Sequence, residues 1–134
     1  LPEAPLDSLD PAAYLPHRPP FLFLDRLLTV ESGVSATARL QVTGCPEGYP
    51  PILLVESVAQ LGGIAAAREG DAGGILAAID RAEFHGIIAN GESLTVTARI
   101  AKSFGPLHLV EGEVTGDGGT VATITLTLKV GPLP

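Results

Sequence analysis

The stretch ILLVESVAQLGG, residues 52–63, sets one carboxylate, Glu56, among aliphatic side chains. Charged residues are almost never fully buried without a partner. A desolvated carboxyl held in an apolar slot is suited to acid or base work on a bound substrate. Gln60 follows four residues later, one helical turn along the same face, where its amide can orient the acid. The plainer role for Glu56 is that of a first-turn acid stabilised by the helix dipole by about 0.3–1 kcal/mol. The aliphatic setting favours chemistry over that role.

Other reactive types are sparse. Cys45 is the sole cysteine, so it forms no internal disulfide, and no Cys/His spacing matches a zinc site. Its neighbours Gly44, Pro46 and Glu47 supply neither a base nor a positive charge to activate the thiol. Three histidines are present: His17 near the start, His85 at the end of an apolar run and His108 at the start of another. The last two read as surface or satisfied core residues. No metal or cofactor site is expected.

The elements that must position Glu56 are legible from periodicity. Residues 52–69 are rich in Leu and Ala, lack alternation and follow Pro50-Pro51, which fits a helix of about 17 residues opening on proline. Its circumference is apolar nearly all round, so it is expected to be enclosed. Ala59, Gly62, Gly63, Ala65 and Ala66 would let a sheet approach it closely. Four stretches alternate as half-covered strands. They turn inward Ala38, Leu40 and Val42; Leu94, Val96, Ala98 and Ile100; Val110 and Val114; and Ala122, Ile124, Leu126, Leu128 and Val130. SFGP at 103–106 and GDGG at 116–119 supply the turns of a meander. FLFLDRLLTV and GGILAAIDRAEF are more apolar and read as strands covered on both faces. The order β-β-α-β-β-β-β implies an α+β domain, an antiparallel sheet of about six strands wrapped around one central helix, over residues 14–134 after a leader at 1–13.

A net charge of −7, with only 8 Lys and Arg scattered singly, argues against a nucleic-acid partner. The apolar run from Ile52 to Ala67 is shorter than the roughly 20 residues a membrane span needs and is interrupted by Glu56 and Gln60. The acidic, Pro-rich leader has no basic n-region of a secretory signal, so a cytoplasmic location is expected.

This layout is that of the hotdog fold, and three motifs sharpen the resemblance. YLPHRPPFLFLDRLL at 14–28 is similar to the LPHR-x-PFLL-x-DR opening of the β-hydroxyacyl-ACP dehydratases of the FabZ/FabA type. ILLVESVAQLGG at 52–63 resembles their central helix, and AAIDRAEFHGIIANGESLTV at 77–96 their next strand, loop and strand. The resemblance implies a dimer or higher oligomer that binds an acyl thioester, on ACP or CoA, in a tunnel at the subunit interface, within fatty acid or polyketide metabolism. It implies a histidine that removes the α-proton, a carboxylate on the partner's helix that handles the departing hydroxyl, and a backbone N–H at the helix start that polarises the carbonyl. Glu56 falls on the acid position. Phe84 is expected to line the tunnel and Tyr49 to gate it. Arg99 and Lys102 are the nearest approach to a docking patch for an acidic acyl carrier protein.

The sequence also departs from the family. Where the family has a G-H-F-P-G type loop, this chain reads QVTGCPEGYPP, and ungapped counting from Glu56 puts the histidine position on Val42. No histidine stands between His17 and His85, and the activating glycine aligns with Pro51, which has no N–H. The Ile52 amide is the nearest replacement donor. A positioned base is worth about 10²–10⁴-fold and an oxyanion donor about 10²–10³-fold. The expectation is therefore a thioester-binding, dehydratase-like protein with reduced or lost activity, acting alone or beside a catalytic subunit in a heterodimer. The alternatives are an active dehydratase using an unrecognised base and a thioesterase in which Glu56 activates water or attacks the thioester.

Overall fold

The computed structural model describes residues 10–13, 23–44, 47–67 and 74–131. Its elements are β1 (Arg26–Glu31), β2 (Ser35–Gln41), α1 (Ile52–Ala66), β3 (Gly74–Phe84), β4 (Ser93–Phe104), β5 (Leu107–Gly116) and β6 (Gly119–Val130), with a short 3-10 turn at Pro11–Ala13. All strand pairs are antiparallel and the sheet order is β1-β2-β4-β5-β6-β3. The helix lies in the concave face and touches every strand. This is the hotdog architecture that the element order predicts. None of the described helices is long and apolar enough to cross a membrane.

Strand alternation dictates the core. Leu94, Val96 and Ala98 of β4, Val110 and Val114 of β5, and Ala122, Ile124, Leu126, Leu128 and Val130 of β6 are all buried, together with Ala36, Ala38, Leu40 and Val42. Ile100 is only half-buried, because a bulge between Ile100 and Lys102 shifts the register where β4 passes the end of the covered face. The Phe104–Leu107 hairpin turns through Gly105 and Pro106, with Gly105 at φ +57°, the positive φ that a type II′ turn demands at its first central residue.

Enclosing a helix in a sheet requires close backbone approach. A Cβ on Gly62 would stand 3.0 Å from a Val110 methyl and 3.1 Å from a Leu128 methyl, closer than side chains normally pack, so those two side chains would have to give way. Gly63 lies against the main chain of Gly74, where its would-be Cβ is 3.6 Å from the Gly74 nitrogen. The sheet contributes a glycine that periodicity did not single out. A Cβ on Gly112 of β5 would fall 2.3 Å from Val58.

Three expectations need correction. The helix has 15 residues and ends at Ala66, where the Ala67 N–H closes onto the Gly63 carbonyl; Arg68 and Glu69 lie outside the described residues. Among the described residues the first strand begins at Arg26, and the main chain of Phe23 is bonded to helix side chains instead; Phe21 and Leu22 lie outside the described residues. The two apolar strands are not covered on both faces. They form the two edges of the sheet, and β3 leaves Ile75 65% and Ile79 48% exposed.

Replacing Gly112 by alanine is expected to destabilise the fold by about 1–3 kcal/mol, the usual range for overpacking a filled core. Urea titration would show this as a lower midpoint at an unchanged slope.

Candidate active site

Glu56, Ala59, Gln60 and Gly63 form one stripe of α1 at helical spacing, and they face Gly74 and Leu76 of β3 and Leu128 of β6 across a small cleft. The cleft has a volume of about 20 Å³, room for roughly one water molecule. It exists because Gly63 and Gly74 bring two bare backbones together and leave the Glu56 side chain half-buried at the gap.

Gln60 is 2% exposed, and Ser57 is fully buried; they are the two buried polar residues among those described. Each is bonded to the same residue. The Phe23 N–H donates to Gln60 Oε1 at 2.9 Å, and the single Ser57 hydroxyl hydrogen is shared between the Phe23 carbonyl at 2.9 Å and the Leu53 carbonyl at 3.2 Å. The Gln60 amide nitrogen in turn donates to Glu56 Oε1 at 3.4 Å. The i, i+4 spacing thus brings acid and amide together as expected. Nothing in the sequence marks the Ser57–Phe23 contact, because residues 34 apart meet only through the fold.

The start of α1 carries the second chemical feature. Pro51 stands at the N-cap with helical dihedrals and has no N–H. The Leu53 and Leu54 amides close onto the Pro50 and Pro51 carbonyls at 3.1 and 3.0 Å, whereas the Ile52 amide, the first of the helix, has no acceptor within it. Ile52 is 61% exposed and lies one turn before Glu56. Positive helix-end potential and an acid therefore share one side of the first two turns.

Tyr49 and Phe84 do not line the Glu56 cleft. The Tyr49 N–H donates to the Ile88 carbonyl at 3.4 Å, and its side chain packs against the core. Phe84 ends β3 on the inward face, opposite Ala122, and is partly exposed. Val42, where ungapped counting puts the family histidine, is a fully buried core residue. Among the described residues no histidine lines the cleft. The His85 N–H is bonded to the Val121 carbonyl, and His108 Nδ1 lies 2.7 Å from Ser103 Oγ on the β4–β5 hairpin. His17 and Cys45 lie outside the described residues. Arg99 is ion-paired with Glu111, which leaves Lys102 without that companion as a docking charge.

No family model matches the chain. Curated relatives do. The chain is 32% identical over 133 residues to the 3-hydroxyacyl-[acyl-carrier-protein] dehydratase FabZ of Listeria monocytogenes serotype 4b (strain CLIP80459), covering 90% of this chain and 92% of the relative. It is 31% identical over 139 residues to FabZ of Bacillus subtilis (strain 168), covering 94% and 99%. Among solved structures, the dehydratase heterocomplex ApeI:P from Xenorhabdus doucetiae superposes with a TM-score of 0.76 at 17% identity, over 90% of both chains. A hypothetical thioesterase from Streptococcus pneumoniae TIGR4, solved with coenzyme A, superposes with a TM-score of 0.68 at 13% identity, over 79% of this chain and 87% of that one. Those two similarities carry the fold; the broad identity to the curated relatives carries the descent. By that identity, together with the central acid-bearing helix and the sheet around it, the chain belongs to the FabZ/FabA-type β-hydroxyacyl-ACP dehydratase family of hotdog proteins.

Proposed function

We propose that the protein binds fatty acyl or polyketide thioesters in a slot beside Glu56 and retains little or no dehydratase activity of its own. The observation that carries this reading is the composition of the cleft: one carboxylate, one amide and aliphatic or bare-backbone walls, with no imidazole among the described residues that line it. Dehydration of a 3-hydroxyacyl thioester removes an α-proton to a base and delivers a proton to the departing hydroxyl, which leaves as water. Glu56 can serve the second half of that exchange. The first half needs a base near the α-carbon, and the family's position for it falls by ungapped counting on a core valine. Without that base the rate falls by about 10²–10⁴-fold.

The binding half of the machinery has its parts. The Ile52 amide at the helix start is a donor suited to a thioester carbonyl, replacing the donor that Pro51 cannot supply. Ile52 and Phe84 offer apolar surface for an acyl chain, and Tyr49 borders the same end of the helix. The carrier is an acyl carrier protein or coenzyme A. The names of the curated relatives favour the former.

Assembly follows from β3. It is an edge strand of 11 residues with Ile75, Ile79 and Phe84 exposed, and an uncovered apolar edge is a template for pairing. A second hotdog protomer at that edge would wall the slot beside Glu56. That protomer is another copy of this chain in a homodimer or higher oligomer, or a subunit that brings the missing base, as the description of the Xenorhabdus assembly as a heterocomplex favours.

Two outcomes are expected. The purified chain should bind crotonyl-pantetheine saturably but hydrate it at least about 100-fold more slowly than a histidine-bearing FabZ assayed beside it. Hydration at the FabZ rate, abolished by Glu56→Gln, would establish an active dehydratase with another base. Release of free thiol lost in the same variant would establish a thioesterase. Light scattering should give a dimer or larger species, and Ile79→Lys on the inward face of β3 should shift it toward monomer; an unchanged mass would reject the edge as the interface.

A further inference from the structure

The two buried polar side chains of the described core converge on the main chain of one residue. Ser57 donates to the Phe23 carbonyl and Gln60 accepts from the Phe23 N–H, so one residue of the segment before β1 is gripped from both sides by a single helical turn. This grip has a chemical consequence. A backbone N–H can only donate, so the carboxamide of Gln60 must present its oxygen to Phe23. Its NH₂ group is thereby turned toward Glu56 Oε1, where the structure finds it at 3.4 Å. The alternative flip would set a donor against the Phe23 N–H and an oxygen against the carboxylate, two repulsive contacts inside a low-dielectric core.

We infer that Ser57 is a positioning residue: through the main chain of Phe23 it locks the flip state of Gln60, and Gln60 then holds Glu56 by an N–H donated to its Oε1. The inference rests on Glu56 being the acid of the thioester site. Ser57 touches neither the acid nor the substrate slot; it acts two bonds removed. Its single hydroxyl hydrogen is shared between the Phe23 carbonyl at 2.9 Å and the Leu53 carbonyl one turn back at the longer 3.2 Å.

The test is spectroscopic and independent of turnover. The chain has three carboxamide side chains, Gln41, Gln60 and Asn90, so the side-chain NH₂ region of an amide spectrum is sparse. The Gln60 pair is assigned by its disappearance in Gln60→Leu. In the otherwise unaltered protein, Glu56→Leu should shift the Gln60 pair, because it removes the acceptor. In Ser57→Ala, which suits a helix interior, the pair should exchange with solvent at least about fivefold faster, the loss of one net hydrogen bond. Adding Glu56→Leu to Ser57→Ala should then move the pair much less than it does alone. A merely structural serine would alter stability without removing that response. Unchanged exchange in Ser57→Ala, or a full Glu56→Leu shift in its background, would overturn the inference. The full pattern in a protein that binds no crotonyl-pantetheine would uphold the lock while rejecting the functional reading of the site.

Discussion

Everything in this molecule depends on a helix that has no side fit for water. Twelve of the fifteen residues of α1 are buried, so the sheet must curl around it, and the curl closes only where glycines let backbones meet. Gly62 admits Val110 and Leu128, Gly112 admits Val58, and Gly63 rests on Gly74. The last pair does two things at once. It lets the edge strand β3 reach the helix, and its missing side chains open the cleft in which Glu56 stands. Packing and site thus come from the same contact.

Enclosure also sets the rule for polar groups inside. A buried donor or acceptor left unmade costs about 1–3 kcal/mol, and the core meets that demand by tying Ser57 and Gln60 to Phe23. The segment before β1 is therefore docked on the helix through the main chain of Phe23, and two residues later the Asp25 N–H is bonded to the Arg39 carbonyl of β2. Fold stability and the orientation of the site acid share these bonds, which is why a serine with no view of the substrate slot bears on Glu56.

Much of this was legible in the sequence. Alternation in TVATITLTLKV and SLTVTARIA identified the core face, and the absence of alternation in ILLVESVAQLGGIAAA identified the helix. The Glu56–Gln60 pairing followed from helical spacing alone. What failed to show were relations made by the fold. Apolar content in GGILAAIDRAEF was read as two-sided burial, whereas it marks an edge whose cover is not within the protomer. Gly112, which strand alternation passes over, is a contact surface for Val58.

Family membership and the chemistry of the site are separable here. Val42 serves the hydrophobic core at the place where ungapped counting puts an imidazole, and Pro51 fixes the helix start where a donating amide is expected, yet the acid, its amide partner and the sheet around them persist. The most direct measurement of this account is a crystal structure with a non-hydrolysable acyl-pantetheine thioester analogue bound. The account predicts the head group beside Glu56, its carbonyl toward the Ile52 amide, and no imidazole of this chain within reach of the α-carbon. An analogue seated elsewhere, or a histidine of this chain standing opposite Glu56 across the substrate, would contradict it.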